Sequence, residues 1–535
     1  MRVPPFPVDY RASGLLLHAT SLPSPYGVGD LGPAAFAWID RLHEAGQRWW
    51  QSLPVGPTGY GNSPYQSLSS FAGNELLISP DGLIADGLLD LRGSVPAFPA
   101  DVVDYGATDA YKQKLLAVAW SRFRSGERKD LRAPYEAFCG REESWLDDYA
   151  LFRALKAHYG GAHYLKWAPE LVERCPDALA DARRKLAGPI EQVRFAQFVL
   201  ARQADRLKEH ARSKGVGLLG DLPFFVSPDS SDLWANPELF LLDGARRPRV
   251  VAGVPPDYFS VDGQLWGNPV YDWEALRRTG FRWWIDRVRA LLAHVDVIRL
   301  DHFRGFAAAW QVPAGSTSAR TGEWVAAPGE ALFEALRAEF GGLPFIAEDL
   351  GVITADVRAL RDGLRIPGTR VLQFAFDGGQ ENPFLPHTFI TNTVVYTGTH
   401  DNAPTREWYE ELSNETRRYF WKYLGRDAGA CADAAHELMR LAWRSRAALA
   451  IAPLQDLLNL GKEARMNVPG RADDNWRWRC PANLLSRGAL DWLREITQDS
   501  GRLGTSEGAE THANNTGFGQ SDYQEIGVEG SGGAS

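Results

Sequence analysis

The sequence predicts an α/β fold, a parallel (β/α)8 TIM barrel with large insertions between strands two and three and after strand three. Three observations predict it. About eight short apolar or β-branched runs recur along the chain, half of them ending in a polar residue, and most are separated by stretches with apolar residues at three-and-four spacing. A chain of 535 residues is either several domains or one large barrel carrying insertions. Strand and helix alternating eight times over select the barrel.

In chain order the runs are GLLLHA from residue 14, WWQSLPV from 49, VGLLGDLPFFV from 216, VDVIRLD from 295, PFIAED from 344, TRVLQFAF from 369, TVVYTGTH from 393 and ALAIAPLQ from 447. The helices AAFAWIDRLHEAG, FRWWIDRVRALLAH and GEALFEALRAEF lie between them. The long interval after the second run contains YKQKLLAVAWSRF, SWLDDYALFRALKAHYG and IEQVRFAQFVLARQADRLKEH. These predict a mainly helical insertion at about 85–210. A second extension, at about 227–290, includes VAGVPPDYFSVDGQLWGNPVYDW, which is rich in Gly, Pro and aromatics and has no period. It reads as a loop-rich subdomain placed to act as a lid. Residues 1–498 would then form one catalytic barrel. From 499 to 535 the chain is poor in apolar residues and rich in Gly and Ser, the composition of a disordered tail.

Composition narrows the function. Lys and Arg number 58 against 67 Asp and Glu, a formal charge of -9, which argues against a binder of nucleic acid or anionic membranes. The start MRVPPFPVDYR lacks the apolar core of a signal peptide, and no apolar run is long enough to span a bilayer, so cytoplasmic residence is expected. Cys139, Cys175, Cys431 and Cys480 show no CxxC spacing and read as reduced thiols.

The charges at the strand ends carry the chemistry. Side chains alternate along a strand, so Val297, Arg299 and Asp301 share one face of VDVIRLD and Ile298 and Leu300 the other. If the first set points inward, Arg299 and Asp301 stand at the upper end of strand four, where barrel active sites lie. Asp221, Glu348 and Asp401 end the third, fifth and seventh runs. A single Asp in such a place is usually a turn or cap residue. Four acids at separate strand ends, with Arg299 to keep a neighbouring carboxylate ionised, point to a site. Clustered acids in a barrel serve metal binding or glycoside chemistry. The first needs several His ligands, whereas strand one offers only His18, which reads as a hydrogen-bonded wall residue. The second needs one carboxylate to attack the anomeric carbon and another to protonate the leaving oxygen. No metal or cofactor is expected.

SPYQSLSSFAGN (63–74), GDLPFFV (220–226), IRLDHFRG (298–305), FIAEDLGVIT (345–354), VLQFAFD (371–377), TGTHDN (397–402) and QDLLNLGKEARMN (455–467) occur in this order. Together they resemble the amylomaltases, the 4-α-glucanotransferases or disproportionating enzymes of the α-amylase clan, from about residue 14 to about 480. The resemblance implies that Asp301 is the nucleophile, Glu348 the general acid/base and Asp401 the carboxylate that fixes the sugar. Tyr65, Asp221, Gln264, Trp266, Arg299, His400 and Asn467 would contact or support substrate, while Asp349 would point away and be structural. The implied reaction moves α-1,4-glucan segments onto glucose or another glucan through a covalent glycosyl-Asp301 intermediate, with malto-oligosaccharides and glucose as donors and acceptors. The alternative is an α-1,4-glucan hydrolase using the same intermediate. DLPFFVSPDSSD lacks the His that amylase-like hydrolases place soon after the strand-three Asp, which favours amylomaltase. The sequence departs from the family at Arg444 and Arg446 and after HDN, in HDNAPTREW.

Overall fold

Each of the eight runs forms one strand. The computed structural model describes residues 5–7, 9–91, 93–256, 261–471 and 473–503. Strands β1 (Ala12–Leu16), β2 (Trp49–Gln51), β3 (Gly217–Leu222), β4 (Val297–Leu300), β5 (Phe345–Ala347), β6 (Gly368–Val371), β7 (Thr393–Tyr396) and β8 (Leu449–Pro453) close a barrel. Every neighbouring pair is parallel, and β8 returns to β1 with Ala12 opposite Leu449. The predicted (β/α)8 barrel is therefore the fold.

Alternation decides what fills it. Leu16, Trp49, Leu219, Val297, Ile346, Val371, Val394 and Ile451 form one buried cluster inside the barrel. Ile298, Leu300 and Phe345 pack outward on Trp284 and Val288 of the helix Arg282–Leu292 and on Leu332 and Phe333 of the helix Gly329–Phe340. Each such side chain contributes about 1.5–3 kcal/mol by leaving water. The inside of the barrel is thus a packed floor beneath the polar residues at its upper end.

The interval between β2 and β3 is helical, with long helices at Tyr105–Ser125, Glu143–His158 and Ala187–Ser213. Ala187–Ser213 runs directly into β3, so the last helix of this stretch belongs to the barrel wall. Buried Lys112 pins the insertion: its Nζ donates to Asp30 Oδ2 at 3.1 Å and to the carbonyls of Leu76 and Ile78 at 2.6 and 3.0 Å.

The second extension differs from the loop-rich reading. Val250–Val254 and Gln264–Pro269 are antiparallel strands, and they join Ala308–Pro313 and Glu323–Ala326 in a four-stranded sheet. Half of that sheet comes from the loop after β4, beyond the predicted subdomain. Gly253 permits the pairing, because a Cβ there would lie 2.6 Å from the carbonyl oxygen of Gln264. Trp310 and Trp324 face each other across two strands with ring centroids 5.3 Å apart.

The fold also continues past 498. The helix Arg487–Asp499 is followed by Arg502, which is fully buried and donates to the carbonyls of Ala12, Trp443, Ser445, Ala447 and Ala448. The expected tail start at 499 is corrected on this ground: residues 499–503 belong to the fold. Residues 504–535 of that tail lie outside the described residues. Arg444 and Arg446 are exposed and leave the packing before β8 undisturbed.

Candidate active site

Inside the barrel the apolar row gives way to charge at the register pair Asp221 and Arg299 on β3 and β4. The Asp221 side chain is wholly buried and that of Arg299 is 6% exposed. Arg299 Nη1 donates to Asp221 Oδ1 and Oδ2 at 2.9 and 2.7 Å and to Asp301 Oδ1 at 3.0 Å. Tyr65 OH donates to Asp221 Oδ2 at 2.9 Å. Burial pushes the Asp221 carboxyl upward while Arg299 pulls it back. With four charge-assisted or polar contacts in place, the buried pair is satisfied, as a charge in this setting must be.

Glu348 directly follows β5. Its Oε2 accepts from the backbone N–H of His302 at 2.8 Å and its Oε1 from that of Leu350 at 3.3 Å. Desolvation pushes its carboxyl up to about 8; Arg299 opposes the shift and Asp301 adds to it. The next residue points the other way, as alternation requires. Asp349 is buried, accepts from Thr369 N at 2.6 Å and pairs with Arg361 and Arg370.

Asp401 sits in the loop after β7, where Asn402 Oδ1 accepts from the N–H and the hydroxyl of Thr399 and shapes the turn. Asp401 Oδ1 accepts from Asn467 Nδ2 at 2.6 Å, and its Oδ2 lies 3.4 Å from His400 Nε2. Half of the Asp401 side chain is exposed, so it faces the open mouth. His400 is buried, its pKa lowered by desolvation, and its ring stacks on Tyr65 at 5.0 Å and 15°. His18 is a wall residue, its Nδ1 3.1 Å from Ser52 Oγ.

The remaining two predicted residues stand on the side sheet. Gln264 and Trp266 are exposed, and Trp266 Nε1 donates to Gln264 Oε1 at 3.1 Å. Trp266 meets the ring of His302 edge-on at 4.8 Å, which brings this wall beside Asp301. Among the described residues no three His, Cys, Asp or Glu side chains are grouped to hold a metal ion.

Comparison with known proteins follows the same residues. The family model described as 4-alpha-glucanotransferase, glycoside hydrolase family 77, matches residues 17–485. The chain belongs to the 4-alpha-glucanotransferase family. The 4-alpha-glucanotransferases of Synechocystis sp. and Thermus thermophilus are each 48% identical to it, over 92% of this chain and 99% of theirs. The structure of an amylomaltase from Streptococcus agalactiae in complex with acarbose superposes with a TM-score of 0.88 at 37% identity, covering 92% of this chain and 99% of that one. The chain is a glucan-transferring enzyme, and the transferase reading is favoured over the hydrolase.

Two residues in contact with the candidate site of this 4-alpha-glucanotransferase escaped the sequence. Trp476 places its ring 5.9 Å from both Tyr65 and His400, and nothing in DDNWRWR separates it from a core tryptophan. His302 engages Glu348 through its backbone, which no pattern of side chains announces.

Proposed function

We propose that this enzyme moves α-1,4-glucan segments between malto-oligosaccharides, or onto glucose, by a retaining double displacement on Asp301, Glu348 and Asp401, in the cytoplasm. The contrast between two carboxylates carries the reading. Asp301 is bonded to the Arg299 guanidinium, whereas Glu348 sits desolvated with its pKa raised. One environment suits an anionic nucleophile and the other an acid that still holds its proton near neutrality.

In the first half-reaction an Asp301 oxygen attacks the anomeric carbon, the glycosidic bond breaks, and the Glu348 proton passes to the leaving oxygen. In the second, the Glu348 carboxylate takes the proton of an acceptor hydroxyl as that oxygen displaces Asp301. Asp401, held by Asn467, would fix sugar hydroxyls, while Tyr65 and His400 offer a stacked wall. Water competes for the same intermediate, so transfer requires that an acceptor be bound in line. Trp266 and Gln264, exposed on the side sheet, would supply that hold.

Maltotriose as sole substrate tests the reading. Glucose and longer maltodextrins should appear while total reducing ends barely rise, because each transfer breaks one linkage and makes another. Reducing ends that climb in step with maltotriose consumption would establish hydrolysis instead.

A further inference from the structure

His302 follows the proposed nucleophile and adopts φ 50° and ψ 52°, a left-handed conformation disfavoured for residues with a Cβ. Its N–H donates to Glu348 Oε2, 2.8 Å away, and the left-handed turn carries the chain on from that peptide plane. Its ring is gripped by Phe224 at 6.2 Å, Phe225 at 6.1 Å and Trp266 at 4.8 Å. Desolvation pulls the imidazole down to about 4, so the ring is neutral where the enzyme works and packs as an aromatic.

We propose that His302 is a positioning residue with two arms: its backbone N–H sets the protonation of Glu348, and its ring ties that N–H to the acceptor-side wall at Trp266. The inference rests on the reading of Glu348 as the acid/base. An oxygen that accepts an N–H at 2.8 Å is a poor place for a proton, so the acidic proton belongs on Oε1, where the competing donor, Leu350 N, lies at 3.3 Å. When the proton has left, the same N–H stabilises the carboxylate that must next act as base. An acceptor resting on Trp266 would hold the ring of His302 and, through it, the strained backbone that carries the N–H. Arg299 and Asp301 from the end of β4, Tyr396 from β7 and Asp349, the next residue in the chain, also bear on this carboxyl. Substitution at 302 removes none of them.

The two arms separate by mutation. Asn adopts the left-handed region readily but has no aromatic ring, whereas Val resists that region. For His302→Val the alkaline limb of the kcat/KM profile on maltotriose should move up by about one pH unit, as a bond favouring the carboxylate is lost. For His302→Asn the limb should stay in place while the share of intermediate going to water rises at least about two-fold. His302→Ala reads the same limb if the Val variant fails to fold. A wild-type limb in every folded Val or Ala variant would overturn the backbone arm, and a wild-type partition in His302→Asn the ring arm. Glu348→Gln keeps the two levels apart: normal maltotriose turnover in that variant would sink the acid/base reading itself, whereas an inactive Glu348→Gln beside unaltered His302 variants would sink only this inference.

Discussion

A single guanidinium nitrogen, Arg299 Nη1, stands 2.7 Å from Asp221 Oδ2 and 3.0 Å from Asp301 Oδ1, and so ties a fully buried carboxylate to a partly exposed one. Arg is the residue that can do this while its remaining nitrogens stay in the same plane, because the charge is spread over a rigid fork. Arg299→Lys should lower kcat/KM by about 10²-fold, since one flexible ammonium cannot hold both acids in line. Arg299→Met leaves Asp221 buried without its counter-charge and should also cost about 3–5 kcal/mol of stability in a denaturant titration. An active, fully stable Met variant would refute the bridging role.

As the proposed acid, Glu348 gives the pH profile its sign. Its carboxyl must carry a proton to donate one, and desolvation holds its pKa near 8. The kcat/KM for maltotriose should therefore be maintained through neutrality and fall as pH rises through about 8. Glu348→Gln should lose turnover by about 10³-fold with maltotriose but far less with an activated glycosyl fluoride, which needs little acid help. Equal losses with both donors would remove Glu348 from the acid's role.

Trp266 is exposed beside His302, where we propose that the acceptor rests. Trp266→Ala should leave donor cleavage within about ten-fold of wild type while raising the reducing ends formed per maltotriose consumed, because orientation of the acceptor is what water lacks. Added free glucose should restore transfer less effectively in the variant than in the wild type. An unchanged ratio of transfer to hydrolysis would place the acceptor elsewhere.

The barrel was legible because its strands are β-branched or apolar runs set between helical stretches, and four of them carry an acid at the upper end. VDVIRLD announces β4 and its inward row together. The side sheet was not legible for a related reason. Its strands VVAGV and QLWGNP carry Gly and Pro and lack alternation, and their partners AAWQVP and EWVA lie on the far side of β4 in sequence. Side chains at strand ends placed Asp221, Arg299, Asp301 and Glu348 on one site, since topology fixes where such ends converge. His302 was invisible because its contribution is a dihedral angle and an N–H, and neither is written in a residue's type.

Truncation distinguishes the two possible ends of the fold. A chain ending at Leu503 keeps Arg502 and should keep its thermal midpoint. A chain ending at 498 loses the donor to five carbonyls and should lose about 3 kcal/mol and several degrees. Equal midpoints for the two chains would show that Arg502 contributes nothing to the fold.

Arg502 also has a consequence in time. It reaches the carbonyl of Ala12, 490 residues earlier, just where β1 meets β8. During synthesis from the N-terminus, β1 is among the first strands made and the residue that fastens its seam is among the last of the described residues. Until β8 pairs with β1 the nascent barrel has two open strand edges, β1 and whichever strand was made last, and such edges pair indiscriminately with other chains. Vectorial production therefore leaves this enzyme most vulnerable to association just before it is finished, and its demand on chaperones should concentrate in that interval.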